Sequence, residues 1–310
     1  MGDKNRTRRL TADATGVAEA ARLLTSGGLV ALPTETVYGL AARADNPAAV
    51  KRIFAAKRRP RFNPLIVHVG SLDEAEALAR FSGLSRELAE TYWPGPLTLV
   101  LPRRPAVRLA DAVTAALPTV ALRMPDHPSM RAVLATCGLP LAAPSANRSG
   151  GVSPTSAEHV LESLGGAIDA VLDGGSTECG LESTIVAVRD DGTLHELRPG
   201  PLDLQELRGA TSASFGQIEA PGQLGRHYAP GKPLRLGASR AYKDEFQIGF
   251  AAVAGDCTLS ASGDLAEAAR RLYLCLHEAA GSAKPRIAVA PVPDHGIGRA
   301  INDRLQRAAA

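Results

Sequence analysis

The sequence predicts a mixed α/β (α+β) protein: an open sheet with helices packed on it, then a small α/β unit of Rossmann-like pattern. Three observations predict this. Short β-branched or Leu-rich runs alternate with alanine-rich stretches of helical period, without strict strand–helix–strand rhythm. From about Thr211 to Arg235 the period dissolves into "TSASFGQIEAPGQLGRHYAPGKPL", with four glycines and three prolines. Beyond it, "FQIGFAAVA", a helix from Asp264 to Glu278, "PRIAVAPV" and "GRAINDRLQRA" form one strand–helix–strand–helix segment. The divisions expected are therefore 1–210, 211–235 and 236–310. The last, of about 75 residues, is marginal alone and expected to dock on the first. A connection so long and without period argues for a linker or a functional lid.

In the first unit, "VAEAARLLTSGG" has apolar spacing of three and four and stops at Gly27 and Gly28, which predicts a helix. "LVALPT" follows as a strand. Asn46 and Pro47 make an N-cap and first-turn pair for a helix carrying Val50, Ile53 and Phe54. "LIVHV" is the next strand, and Ser71 with Glu74 predicts a capping box for the helix after it. "LTLVL", "TVALR", "LPLAA", "AVLD" and "STIVAV" read as further strands, and "TSAEHVLESLGG" as another helix.

The composition of the 310 residues, 45% hydrophobic and 22% charged, is that of an ordinary globular chain. A net charge of +3 implies no polyanion partner by itself, but its distribution is uneven. Residues 1–61 hold 12 Lys/Arg against 5 Asp/Glu, which leaves the remainder at −4. Six of those cations fall between Lys51 and Arg61, with no acid among them. Cys137, Cys179, Cys257 and Cys275 are scattered, with no CxxC. That argues against a zinc knuckle or a disulfide framework and suits a reducing compartment. The start lacks an apolar signal region, Arg6 stands where myristoylation needs Ser or Thr, and no run approaches the ~20 apolar residues of a membrane span. A cytoplasmic protein with no membrane contact is expected.

There is no GxxxxGK, HExxH or GxSxG, and no metal-ligand spacing, so attention turns to catalysis by positioning. What stands out is a series of polar residues at strand ends, each flanked by Pro or Gly: "PTETVYGL", "KRRPRFNPLIVHV", "TVALRMP", "PSANRSGGVSPT", "ESTIV" and "LRPGP". Small hydroxyls, an Asn and Gly-rich turns offer donors to phosphate oxygens without a P-loop. Arginines add bidentate capture of phosphate or carboxylate.

Together with "WPGPLT", these motifs resemble, in order, those of the YrdC family of L-threonylcarbamoyladenylate synthases. "RHYAP" in the linker and "PVPDHGIGRAINDRL" near the end are similar to its long two-domain form. The resemblance runs from about Ala14 to Leu305. It implies an open, twisted YrdC-like sheet with a large concave basic cavity. The activity implied is synthesis of L-threonylcarbamoyladenylate from L-threonine, bicarbonate and ATP, with release of pyrophosphate. Mg²⁺ would accompany ATP. The product would feed threonylcarbamoylation of adenosine 37 in tRNA, through a downstream transfer machinery and with at most a weak tRNA contact.

Carried over residue by residue, the resemblance places L-threonine against Thr36, His68, Arg123, the Ala143 backbone and Ser183. It places ATP against Lys57, Arg59, Asn63, Thr119, Ser145, Asn147, Ser153, Arg198 and Tyr228. No metal ligand is expected from protein side chains. Chemistry agrees for several: Arg123 suits a carboxylate, and Thr36, His68 or Ser183 can line a hydroxyl. Lys57 and Arg59 are spaced for a loop around phosphates, since Pro60 and Pro64 forbid continued helix. Arg58 and Arg61 read as solvated companions that deepen the field. Plainer readings stand beside these: a basic helix end favoured by the dipole, a histidine satisfied in a half-buried strand, an ordinary tether at His227 and Tyr228. Rival functions are an RNA-binding module without chemistry and a related carbamoyl-transfer enzyme. Five Tyr, six Phe and one Trp leave little for extended base stacking.

Overall fold

The computed structural model describes residues 7–60, 62–189, 191–203, 211–212, 219–222, 225 and 227–310. Arg61, Arg226 and much of the expected linker lie outside the described residues. Among the described residues eleven strands form one sheet. In chain order they are β1 (Arg8–Thr11), β2 (Val30–Leu32), β3 (Gly39–Arg43), β4 (Ile66–His68), β5 (Leu97–Pro102), β6 (Thr119–Arg123), β7 (Leu141–Ala142), β8 (Ala170–Asp173), β9 (Thr184–Val188), β10 (Leu194–Arg198) and β11 (Thr211–Ser212). Their spatial order is β1-β8-β2-β3-β7-β4-β6-β5-β9-β10-β11. Parallel and antiparallel pairs are interleaved, as the irregular rhythm of the sequence predicts. The second sheet is wholly parallel: β12 (Leu234–Arg235), β15 (Arg286–Val289), β13 (Glu245–Gly249) and β14 (Cys257–Thr258), in that order.

Period-two alternation decides where the cleft lies. In β4 and β6, Val67, Val120 and Leu122 point to the main core with Leu40, Leu99 and Val186. Ile66 and Ala121 point to the opposite face, packed with Val100 and Ile185. His68 and Arg123, one step further along strands paired in register, share that opposite face. Elsewhere the same side of the sheet is filled by the helices Ala14–Thr25 and Pro128–Cys137, over Val30, Leu32, Ala41 and Leu172. The cleft is the stretch between these two fillings.

Local signals mostly hold. Asn46 accepts from the amides of Ala48 and Ala49, with Pro47 opening the helix. Asp264 caps the helix Leu265–Gly281 through the Glu267 amide. The Ser71 box is only half made: Ser71 takes the Glu74 amide, but the Glu74 carboxylate accepts from the Gly70 amide, at 2.8 Å, instead of from that of Ser71. The reading of unpaired cysteines is corrected at one pair. Cys257 and Cys275 form a disulfide, because β14 runs against the helix Leu265–Gly281 and brings their Cα atoms to 5.7 Å. β1 carries no strand signal in the sequence; it is an exposed edge held by parallel pairing with β8.

The second unit docks through a shared core. Val37, Val152, Leu181 and Tyr228 belong to the same buried cluster as Leu272, Tyr273, Leu276 and Ile301. Polar contacts flank it. The His159 and His277 rings stack at 3.8 Å, His277 Nε2 lies 3.1 Å from Ser153 O, and Arg299 pairs with Glu196 at 2.6 Å. Among the described residues no helix is long and apolar enough to cross a membrane.

Candidate active site

Arg123 and His68 stand side by side at the ends of β6 and β4, each at most 4% exposed. The "WPGP" turn backs the arginine: Gly95 O accepts from Arg123 Nε at 3.3 Å. On its other side Arg123 Nη2 reaches Glu35 Oε1 at 2.6 Å, and Glu35 Oε2 takes the Asp126 amide. Thr36 is fully buried and shares a hydroxyl contact of 2.8 Å with Thr34. Ala143 lies opposite, its N–H donated to Ile66 O. Thr36, His68, Arg123 and Ala143 all line one cleft. Ser183 does not line it directly. Its Oγ is 2.7 Å from Thr98 Oγ1, and its carbonyl accepts from Arg198 Nε at 3.1 Å and Nη2 at 2.9 Å.

The expected nucleotide contacts divide. Arg59, Ser145, Arg198 and Tyr228 line the same cleft. Arg59 is anchored by Pro64 O at 3.0 Å, and Arg198 is turned by Ser183. The "RPG" turn makes that anchor close: a side chain at Gly200 would strike Thr184 N at 2.3 Å. Lys57 is buried behind the wall, its ammonium donated to Ser145 O at 2.6 Å and to Asn147 O. It shapes the 145–147 turn. Asn63 and Asn147 are buried, and among the described residues their Oδ1 atoms have no hydrogen-bond partner. Ser153 donates to Glu182 Oε1 at 2.5 Å. Thr119 sits at the far end of β6, beside Pro102, roughly 13 Å along the strand from Arg123, and is not brought to the cleft. Arg58 is exposed, in a left-handed conformation that ends the helix Pro47–Lys57.

The described part of the connection reaches the cleft. Pro221, Gly222, His227 and Tyr228 line the cleft, and Ala229 N–H is donated to Gly150 O at 2.8 Å. Tyr228 takes φ of 63°, rare for a residue with a side chain, and is 1% exposed. Its ring lies 5.7 Å from that of Tyr273 and 5.4 Å from Arg304 Cζ.

Charge in the cleft is cationic and only partly compensated: Glu35 pairs with Arg123, and Glu182 with Arg304 behind the wall. Burial would raise the Glu182 carboxyl, yet Arg304, Arg198 and the hydroxyls of Ser153 and Tyr273 hold it down at about 2. Burial, with Arg123 beside it, pushes His68 down to about 3, so its imidazole is neutral. Burial does the same for His227, also to about 3. Arg59 drops to about 10 and Lys57 well below its ordinary value, both chiefly by desolvation. The acids Glu35 and Glu182 are the site members that sequence reasoning misses. Glu35 lies in "PTETVYGL" and Glu182 in "ESTIV", and their only signal there is a charge in an otherwise apolar or hydroxyl-bearing run. Tyr273 carries no such signal, and Arg304 lies inside "PVPDHGIGRAINDRL" without standing out there.

A family profile described as "Telomere recombination", covering the Sua5, YciO and YrdC proteins, matches residues 22–200. A second, described as "Threonylcarbamoyl-AMP synthase, C-terminal domain", matches residues 193–310. The chain is 40% identical to the threonylcarbamoyl-AMP synthase of Bacillus subtilis, covering 94% of this chain and 92% of that one. It is 38% identical to the protein of the same name from Pyrococcus abyssi, covering 94% and 93%. In three dimensions it resembles the crystal structure of P. abyssi Sua5 complexed with L-threonine, with a TM-score of 0.88 at 35% identity over 98% of this chain and 97% of that one. Matched by the first profile over more than half its length, and by these relatives over more than nine-tenths, the chain belongs to the Sua5/YciO/YrdC family.

Proposed function

We propose that this protein makes L-threonylcarbamoyladenylate from L-threonine, bicarbonate and ATP, releasing pyrophosphate, for the threonylcarbamoyl modification of tRNA at adenosine 37. The observation that carries it is one cleft holding two separate cation sites: Arg123 beside neutral His68, and Arg59 with Arg198. Two anionic substrates need that arrangement. The names of the relatives, and the threonine held by P. abyssi Sua5, support the same reading.

The threonine carboxylate sits on Arg123 in a charge-assisted hydrogen bond, and its hydroxyl meets Thr36 and His68. Such lining rejects an analogue that lacks the hydroxyl, because the buried polar groups would lose their partner. The uncharged amine attacks the carbon of bicarbonate; a C–N bond forms, water leaves, and an N-carboxylate results. A carboxylate oxygen then attacks the α-phosphorus. The bond from the α-phosphorus to its bridging oxygen breaks in line, and pyrophosphate departs with the electron pair. Positioning and charge neutralisation by Arg59 and Arg198 supply the catalysis. Mg²⁺ would enter with ATP and would neutralise phosphate charge beside Arg59 and Arg198.

Residues 1–210 carry this chemistry, 211–235 act as the lid that keeps water from the labile adduct, and 236–310 form the small α/β domain. The setting is the cytoplasm, where the product passes to the transfer machinery that modifies tRNA, with at most weak tRNA contact by this chain. An RNA groove without chemistry fits less well, since the cations are buried in a cleft instead of spread along an open face, and Arg123 is already paired with Glu35. Pyrophosphate release from ATP, measured with and without L-threonine and bicarbonate, tests the reading. Release that is indifferent to both would sink it.

A further inference from the structure

Glu182 is a buried carboxylate with three donors, and two of them come from the C-terminal unit. Ser153 Oγ is 2.5 Å from Oε1, while Tyr273 OH and Arg304 Nε are 2.7 and 3.0 Å from Oε2. Tyr273 lies on the helix Leu265–Gly281 and Arg304 on Ile297–Ala309. The residue after Glu182 is Ser183, whose carbonyl takes both Nε and Nη2 of Arg198. Pinning Glu182 therefore fixes the peptide that aims Arg198 into the cleft. The same two residues also bear on Tyr228, the lining residue in the left-handed conformation.

Arg304 is an expensive way to fill this position. It is 0% exposed, and among the described residues its Nη2 has no hydrogen-bond partner. Taking a guanidinium out of water is repaid only by good pairing, and an apolar side chain of similar volume is often as stable. Its charge is matched to Glu182 through Nε and to its neighbour Asp303 through Nη1, at 2.7 Å, and in such networks each member depends on the others.

We propose that Arg304 and Tyr273 are positioning residues. Through Glu182 they set the direction of Arg198, and through the Tyr228 ring they hold the 227–229 segment shut over the cleft. The C-terminal unit thus completes a site it does not line. The kinetic half of this inference rests on the function proposed above; the structural half does not.

Amide hydrogen exchange on the full chain tests the structural half. Ala229 N–H is bonded to Gly150 O at 2.8 Å and His227 N–H to Arg307 O at 3.1 Å, so both are protected while the segment is shut. Tyr273→Phe removes one hydroxyl and keeps the ring; Arg304→Met keeps much of the volume. Each is expected to raise exchange at those two amides about tenfold while amides of β13 and β15 exchange as in the parent protein. Each is also expected to lower kcat for pyrophosphate release about tenfold, with KM for threonine within about twofold. Arg304→Lys, which keeps the charge, restores part of the protection. Unchanged exchange and kcat in Tyr273→Phe would overturn the proposal. So would acceleration spread evenly over β13 and β15, which would reduce the pair to packing. If Arg304→Met does not fold, Tyr273→Phe decides alone. A parent protein that releases no pyrophosphate would remove the proposed reaction and leave the exchange result standing.

Discussion

Arg123 and Glu35 form a buried ion pair, Nη2 to Oε1 at 2.6 Å, with 4% and 7% of their side chains exposed. The arginine proposed to take the threonine carboxylate thus already faces one carboxylate. Removing one partner of a buried pair leaves an uncompensated charge and costs about 3–5 kcal/mol. Glu35→Gln is therefore expected to lower Tm. Threonine then supplies the missing counter-charge, so its stabilising shift should be larger in the variant than in the parent protein. Thermal melts with and without threonine check this, and an equal or smaller shift would detach Arg123 from the carboxylate.

The two members of that pair differ in legibility. Arg123 closes an apolar run and announces itself. Glu35 sits between two threonines and gives no hint of a partner 88 residues away. Strands and helices are legible wherever period and caps agree, as at Asn46 and Asp264. Long-range pairing is not: the Cys257–Cys275 bond has no spacing signal, and Tyr273 and Arg304 read as ordinary members of helices. Lys57 is legible as a cation but not as one facing backwards, because the left-handed turn at Arg58 decides which side chains reach the cleft.

Lys57 and Arg59 should consequently fail in different ways. Arg59→Ala removes a cation from the cleft, and a charged hydrogen bond is worth about 1.5–3 kcal/mol, so ATP should bind about 10- to 100-fold more weakly with the fold intact. Lys57→Met leaves the carbonyls of Ser145 and Asn147 without their donor, at about 1–3 kcal/mol each, and should lower Tm first. Calorimetric ATP titration beside thermal melts separates the two. Loss of ATP affinity in Lys57→Met as large as in Arg59→Ala, at unchanged Tm, would return Lys57 to the phosphates.

Acid should loosen the junction between the units. Desolvation, with its neighbour His277, pushes His159 down from 6.5 to about 4. His68 and His227 fall to about 3. These are depressed values, so the unfolded chain binds more protons between the two limits. The stability they contribute is complete above about pH 6.5 and is lost as pH falls toward 4 and below. Each extra proton taken up on unfolding gives a slope of about 1.4 kcal/mol per pH unit. Glu182, held at about 2, adds its loss only at more acid pH. Replacing His159 by Phe keeps an aromatic ring against His277 and removes one titrating group. Denaturant unfolding between pH 6.5 and 5 should then show a shallower slope, and an unchanged slope would place the acid sensitivity elsewhere.

Tyr228 is where the connection meets the chemistry. It is 1% exposed, lines the cleft, and rests on Tyr273 and Arg304. If it only tethered the two units, its ring would be dispensable once the second unit is docked by its own core. If it seals the cleft, Tyr228→Ala opens a path for water to the mixed anhydride between the carbamate and AMP. Turnover should slow about tenfold as positioning loosens. Adduct recovered per pyrophosphate should fall below one, because hydrolysis competes with release. Parallel assays of adduct and pyrophosphate measure that ratio directly. Tyr228→Phe keeps the ring and should keep the ratio near the parental value. A parental rate and ratio in Tyr228→Ala would reduce the segment to a tether.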